Sequence, residues 1–254
     1  MTAFAIRTRG HLLIERNVLV YRHAWMTIFS GFFEPLFYLF SIGVGLGHFV
    51  GKIHGVSYAS YVAPALLASS AMNGALNDAL TNVFWKLRYM KIYDSVLATP
   101  LGPGDVAVGE TIWAQMRGIL YSLGFLVTVA AFGLIHSWWA LLALPAAMLI
   151  GFSFAGVGIG ASTFVRTWQD LELVQIVQLP MFLFSGTFYP LSVYPVVLQW
   201  FVRVSPLYHA ITLIRAFTLG HVAPVNLLNA GYLLVLGLAG LWVARRRMGS
   251  LLLT

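Results

Sequence analysis

Long apolar stretches separated by short polar segments make up most of this chain. Each stretch has the roughly 20 residues that a helix needs to cross the hydrocarbon core of a bilayer. The pattern therefore predicts six transmembrane helices. Their approximate bounds are 25–49, 59–84, 106–134, 138–164, 170–188 and 224–244. We expect the sixth span to be stopped by Arg245, Arg246 and Arg247.

Two segments have the composition of helices that lie at a membrane surface. Residues 9–23 place Leu13, Ile14 and Val18 on one side of a helix and basic side chains on the other, which predicts an interfacial elbow helix. Residues 189–223 are rich in proline and aromatic residues. We interpret them as short re-entrant helices in the outer leaflet, where Trp and Tyr are enriched, although an ordinary extracytoplasmic loop also fits.

Composition supports the same fold class, an all-α membrane protein. The 254 residues are 59% hydrophobic and 9% charged, whereas soluble domains carry about 25% charged residues. Six spans leave no room for a soluble catalytic domain, so residues 1–254 are predicted to form a single membrane domain that is not an enzyme. The chain has no cysteine, and its seven histidines lack metal-ligand spacing, so we expect no metal and no bound cofactor.

Basic residues are distributed unevenly between the two sides that the six spans define. Eleven lie in the N-terminal segment, the second-to-third and fourth-to-fifth loops and the tail, and Arg117 lies a little inside the third span, whereas Lys52, Arg203 and Arg215 lie on the other side. The positive-inside rule then places both termini in the cytoplasm. Attraction to anionic lipids accounts for the net charge of +7 without a nucleic-acid partner.

The loop between the second and third spans, residues 86–105, is amphiphilic rather than simply polar. We predict a helix from Lys86 to Ala98, ended by Thr99-Pro100, and a capping role for Asp105 at the third span. The segment is either a connector or a docking surface for a cytoplasmic partner, and its apolar side chains favour docking. The predicted contact residues are Arg88, Tyr89, Tyr93, Asp94, Leu97, Thr99 and Pro100.

Polar residues inside the spans are the other candidates for function. Glu34-Pro35 lies in the first span, and Asn73, Asn77 and Thr81 recur every four residues in the second, beside Asp78. This stripe is interhelical hydrogen-bonding glue, the lining of a pathway or a subunit interface. Asp78 lacks a basic partner near it in the sequence, so a proton relay is only weakly indicated.

Several motifs in this order resemble the ABC-2 type transporter permeases, in particular the nodulation-factor export permeases of the NodJ type and their drug-resistance relatives. The resemblance covers almost the whole chain. Its motifs are Glu34-Pro35-Leu36 with Gly43, Gly45 and Gly47; Tyr93-Asp94 to Asp105, with Gly109-Glu110, Trp113 and Arg117; Phe184 to Pro190; and Pro206-Leu207 with His209 and Arg215.

The resemblance implies a type V exporter fold in the bacterial cytoplasmic membrane. Two permease copies, identical or paralogous, would pair, and two separate ATPase subunits that bind ATP and Mg would dock on the 86–105 loop. The exported substrate would be an amphiphile, such as a lipid-linked saccharide, a lipid or a hydrophobic drug. The outer re-entrant segment would include Phe188, Pro190, Pro206, His209 and Arg215.

Three other functions are considered beside this one. A proton-coupled secondary transporter would use Glu34 or Asp78. An intramembrane enzyme would need a polar cluster around a group such as His209, and no such cluster is evident in the sequence. A structural scaffold would not need an apolar cytoplasmic loop.

Overall fold

The computed structural model describes residues 11–21, 33 and 36–252, so the predicted Glu34-Pro35 feature lies outside the described residues. Almost all of the described chain is helical. The helices are α1 His11–Tyr21, α2 Leu36–Val50, α3 Tyr58–Asn77, α4 Ile92–Leu97, α5 Pro103–Ala131, α6 Ala143–Ser162, α7 Trp168–Phe184, α8 Val196–Val204, α9 Pro206–Leu219 and α10 Val225–Leu252. Single 3₁₀ turns cover Trp138–Leu142 and Leu191–Val193.

A two-stranded hairpin that the sequence pattern did not predict joins α2 to α3. Strand β1 (Lys52–Ile53) pairs antiparallel with β2 (Val56–Ser57). The two turn residues, His54 and Gly55, both have positive φ, as a two-residue hairpin turn requires. The Ser57 side chain then accepts a hydrogen bond from the Ser60 amide and caps α3.

The central element of the bundle is α3. Nearly all of its side chains are buried, and it packs against α2, α5, α6 and α9. The helix continues beyond Asn77 through two wider π-helical turns, Asp78–Asn82 and Trp85–Tyr89. Such turns rotate the side chains that follow them relative to a regular helix.

Small residues let α6 approach α10 closely. A Cβ atom on Gly156 would lie 2.5 Å from the carbonyl oxygen of Gly237, and one on Gly240 would lie 2.5 Å from the carbonyl carbon of Gly156. These helices therefore pack backbone against backbone, a contact typical of membrane helices.

Three helical segments among the described residues are long and apolar enough to cross a membrane. They are Pro103–Ala131, Trp138–Ser162 and Val225–Leu252. They correspond to the predicted third, fourth and sixth spans, while α2, α3 and α7 lie in the other three predicted positions. The chain is thus a helical membrane protein, and the number of six spans stays a prediction.

The structure adds detail to two predicted elements. The helix α10 runs through Arg245, Arg246 and Arg247 to Leu252, so the helix continues past the arginines that are predicted to stop the sixth span. The elbow helix α1 buries Leu13 and Asn17 against the bundle, and it leaves Leu12, Leu19 and other apolar side chains exposed. An intact helix can carry arginines into the headgroup region, because only their charge avoids hydrocarbon.

Candidate functional site

The segment between α3 and α5 is not the single helix predicted for residues 86–98. The π turn at Trp85–Tyr89 extends the second predicted span, and Lys91 then adopts a left-handed conformation with φ 47°. This reverses the chain before the short helix α4. The predicted role of Asp105 is confirmed: its carboxylate accepts from the Gly102 amide at 3.0 Å, at the start of α5.

A buried ion pair fixes this segment to the bundle. Lys86 Nζ lies 2.8 Å from both carboxylate oxygens of Glu110, and the two side chains are 6% and 1% exposed. Asn17 of α1 contacts both partners, since its Oδ1 accepts from Lys86 at 3.1 Å and its Nδ2 donates to Glu110 at 3.4 Å. Three separate elements therefore meet at one desolvated charge pair.

Tyr93 lies beside this ion pair and is completely buried. Burial raises the pKa of the Tyr93 phenol well above its usual value, and the Glu110 carboxylate contributes to the rise. The expectation that Tyr93 belongs to an accessible contact surface is therefore wrong, because the side chain points into the protein. The 3.6-residue periodicity of a helix as short as α4 does not reveal which of the neighbouring aromatic residues turns inward.

The other predicted contact residues are at or near the surface. Tyr89 is 56% exposed, and Asp94, Thr99 and Pro100 are also exposed. Met90, which is not among the predicted contact residues, is 63% exposed beside Tyr89. Arg88 and Leu97 are partly buried. We name this set of exposed and partly exposed residues around α4 the coupling surface. Its apolar groups project from a segment that the buried Lys86–Glu110 pair anchors to the bundle.

A second ion pair lies one to two turns further into the bundle. Asp78 accepts a hydrogen bond from Arg117 of α5, whose Nη2 in turn donates to the Tyr121 hydroxyl at 2.9 Å. Asp78 therefore has a basic partner that is distant in sequence. Glu110 and Arg117, which belong to the motifs of the family resemblance, thus pair inside the bundle with Lys86 and Asp78.

The predicted polar stripe of the second span divides into two faces. Asp78 is buried toward α5, whereas Asn73 and Asn77 line a groove of about 260 Å³ between α2 and α7. Thr81, in the first π turn, is partly buried. Gln178 of α7 donates to Asn73 Oδ1 at 2.7 Å across this groove, and Gln175 also lines it. Sequence reasoning missed both glutamines, although two amides three residues apart in an apolar span were a usable signal.

The described part of α7 is packed loosely for a span. Leu171 is its one buried side chain, and the exposed large hydrophobic residues on the rest of the helix are Trp168, Leu173, Ile176, Val177, Leu179, Leu183 and Phe184. A contiguous apolar surface of this kind contacts lipid or another protein.

The segment from Phe188 to Arg215 forms the opposite end of the bundle. Phe188 is buried, and its carbonyl accepts from the Tyr58 hydroxyl at 3.4 Å. Pro206 begins the largely buried helix α9, and Pro190 lines a cavity beside it. His209 Nδ1 lies 2.7 Å from Asn229 Oδ1, and its ring stacks on Tyr232.

Arg215 extends from α9 into the same end of the molecule. Its Nε and Nη2 donate to the carbonyls of Tyr61 and Gly186 at 3.3 and 3.0 Å. Within the described ranges, no three His, Asp or Glu side chains are grouped as a metal site would require.

Comparison with known proteins identifies the family. The family model described as ABC-2 type transporter matches residues 9–219. A Nodulation protein J of Rhizobium leguminosarum bv. viciae is 33% identical over 241 residues, which cover 92% of this chain and 93% of that protein. The homologue from R. leguminosarum bv. trifolii is 35% identical over 210 residues, 82% of this chain and 80% of the relative.

A more distant relative has a name that states its role. The inner membrane transport permease YadH of Escherichia coli is 26% identical over 188 residues, 72% of each chain. The family match covers most of the described helices, including the coupling surface, both ion pairs and the groove. This chain belongs to the ABC-2 type transporter family, as a permease similar to Nodulation protein J.

Proposed function

We propose that this chain is the membrane-spanning subunit of an ATP-driven exporter whose ATPase is a separate protein. One observation carries the proposal most directly: Tyr89 and Met90 project from a segment that Lys86 and Glu110 anchor rigidly in the bundle. A partner that pushes on the coupling surface would move α1, α3 and α5 together, because the anchor joins all three. Exposed apolar groups on such an anchored segment are typical of a binding surface.

The partner would be an ATP-binding cassette subunit, present in two copies and carrying the ATP and Mg sites. The coupling surface has apolar residues and both charge signs, with Arg88, Lys91 and Asp94 beside Tyr89 and Met90. Both termini and this surface would lie on the cytoplasmic side of the bacterial inner membrane. Membership of the family supports this arrangement, because the relatives include a named inner membrane transport permease.

A second permease copy, identical or paralogous, would cover the exposed apolar face of α7. Leu173, Ile176 and Val177 are each at least 60% exposed, and lipid alone gives little reason to place Gln175 and Gln178 on the same helix. The groove with Asn73 and Asn77 would then face the subunit interface, where an amphiphile has amides for its polar part and apolar walls for its chain. Membrane lipids would complete the surroundings.

The groove also bears on the kind of substrate. Its amide side chains are neutral, so they suit hydroxyl and amide groups of a saccharide or a polar drug better than a full charge. A lipid-linked saccharide, a lipid or a hydrophobic drug fits this description. The ion pair of Asp78 with Arg117 argues against proton-coupled secondary transport through Asp78, since a paired carboxylate is not a free proton carrier.

Reconstitution tests the proposal. The full chain is placed in proteoliposomes with and without a co-expressed ATP-binding cassette subunit from the same genome, and ATP hydrolysis is measured against a panel of amphiphiles. We expect hydrolysis stimulated by substrate and export that requires both subunits and ATP. Export driven by a proton gradient with no ATPase present would contradict the proposal.

A further inference from the structure

A cavity of about 470 Å³ lies at the end of the bundle opposite the Lys86–Glu110 pair. The hairpin, the start of α3, the segment after α7, helix α9 and the start of α10 enclose it. Its polar lining includes Tyr208, Thr212, His54 and His221, together with Arg215 and Asn226. This volume lies within the ordinary range for small-ligand pockets.

Arg215 is held in place at the cavity wall without using all its donors. The guanidinium carbon is 3.9 Å from the centre of the Tyr61 ring, and Nε and Nη2 donate to two backbone carbonyls. Arginine has five N–H groups, and Nη1 donates to no acceptor among the described residues. The side chain is thus a pre-oriented cation at the cavity wall, with Nη1 not used by any described residue.

Asn226 is a second donor that the protein does not use. It lines the cavity and is 6% exposed, and its Nδ2 atom is buried without a hydrogen-bond partner in the described part of the chain. Leaving a buried amide donor unpaired costs free energy, so a cavity ligand that reaches this side chain would recover that cost.

No acidic group balances Arg215. None of the described residues lining the cavity is Asp or Glu. The sequence contains no acidic residue after Glu172 and none between Glu34 and Asp78, the two stretches that supply the residues lining the cavity. The cavity therefore presents uncompensated positive charge together with hydrogen-bond donors, which selects an anion.

The neighbouring surface indicates the source of that anion. Most of the cavity wall is apolar, and the chain continues from Leu191 in the wall to helix α8, whose Val197, Trp200 and Phe201 are strongly exposed. An amphipathic helix of this kind lies at a membrane interface. A phosphate joined to an apolar body fits such surroundings better than a small hydrated ion.

We propose that this cavity binds the phosphate group of an anionic amphiphile, with the Arg215 guanidinium and the Asn226 amide as its principal ligands. Guanidinium groups bind phosphate oxygens through paired N–H donors, and phosphate offers several acceptors to the surrounding hydroxyl and imidazole groups. Binding at this cavity does not depend on coupling to an ATPase, so it can be tested independently of the proposed export function.

Native mass spectrometry of the full-length protein in neutral detergent tests the site. Two probes with the same acyl chains are added, phosphatidylglycerol and the corresponding diacylglycerol, which has no phosphate. We expect at least about tenfold stronger retention of phosphatidylglycerol, and a loss of about tenfold or more in Arg215→Gln, because a charge-assisted hydrogen bond is removed. Asn226→Ala should lose about fivefold.

The matched control is Arg203→Gln. Arg203 lies on α8 at the same end of the molecule and is exposed, so this variant removes the same charge outside the cavity. It should change retention less than about twofold, as expected for an exposed charge. Equal losses in Arg203→Gln and Arg215→Gln, or no preference of the wild type for the phosphate-bearing probe, would overturn the proposal.

Two further measurements keep the test decisive. If Arg215→Gln fails to fold because the Tyr61 and Gly186 carbonyls lose their donors, Asn226→Ala leaves those contacts intact and decides the question. Comparing inorganic phosphate with chloride at equal ionic strength separates the two possible sources of the phosphate group, a soluble phosphate and a lipid headgroup. A rise of the wild-type Tm with inorganic phosphate that is absent in Asn226→Ala supports a soluble phosphate ligand, and retention of phosphatidylglycerol alone supports a lipid headgroup.

Discussion

Two buried cations beneath the coupling surface and one at the opposite end of the bundle are held in different ways. Lys86 and Arg117 are each paired with a buried carboxylate from another helix. At the other end, Arg215 contacts only backbone carbonyls and an aromatic ring among the described residues. The charges of Lys86 and Arg117 are therefore neutralised inside the protein, whereas that of Arg215 is not.

This difference separates a mechanical role from a binding role. A buried pair joins elements firmly, because breaking it leaves a charge without compensation. A cation that keeps free donors in a cavity instead gains free energy from a ligand. This difference fits the two proposed roles, transmission of movement at the coupling end and anion binding at the opposite end.

The largest expected effect comes from placing a charge beside the anchor. Tyr93→Asp would bury a second carboxylate next to Glu110, and we expect no folded protein to accumulate in the membrane. Tyr93→Phe keeps the packing and should stay within about 1 kcal/mol of the wild type. Membrane abundance and thermal unfolding in detergent measure both variants. Normal abundance of Tyr93→Asp would show that Tyr93 is not buried.

Breaking the ion pair itself should have the next largest effect. Glu110→Ala leaves Lys86 buried and unpaired, and we expect a loss of about 3 kcal/mol or more in the free energy of unfolding. The control is the double variant Lys86→Met with Glu110→Met, which should recover most of that loss because no charge remains. A Glu110→Ala protein as stable as the wild type would contradict the anchoring role.

Asp78→Asn should have a smaller effect. An amide can still accept a hydrogen bond from Arg117, so we expect a loss of about 2 kcal/mol at most in stability and ATP-driven export near the wild-type rate. Transport assays at matched membrane abundance check this. Loss of export in a normally abundant Asp78→Asn protein would restore a proton-carrying role for this residue.

The smallest expected effect lies in the groove. Gln178→Ala removes the hydrogen bond to Asn73, which contributes about 1 kcal/mol or less between membrane helices. We expect nearly unchanged stability and an altered substrate preference in the ATPase stimulation assay. Gln169→Ala, on the same helix but not among the groove residues, is the matched control and should alter neither.

Sequence patterns predicted the positions of the helices well, for a physical reason. Hydrocarbon requires continuous apolar stretches, and proline and glycine mark their breaks. Most ends of α5, α6 and α10 therefore lie within a few residues of the ends of the predicted third, fourth and sixth spans. The continuation of α10 past Arg247 was missed because charge marks where lipid ends rather than where the helix ends.

The site was less predictable, because its groups meet through tertiary contacts. Arg117 lies 39 residues from Asp78, and Glu110 lies 24 residues from Lys86. A helical wheel of one span cannot reveal such partners. The left-handed Lys91 and the π turns before it also rotate Tyr93 inward, so its burial could not be read from periodicity in residues 86–98.

The most direct test of the central claim is capture of an ATP-binding cassette subunit by the coupling surface. We would purify the wild type and the double variant Tyr89→Asp, Met90→Asp with a tagged, co-expressed ATPase. The control is Trp138→Asp, which changes an aromatic residue that is 92% exposed outside the coupling surface. The account predicts that the double variant folds but loses the ATPase, while Trp138→Asp retains it. Undiminished co-purification of the ATPase with the double variant would contradict the account.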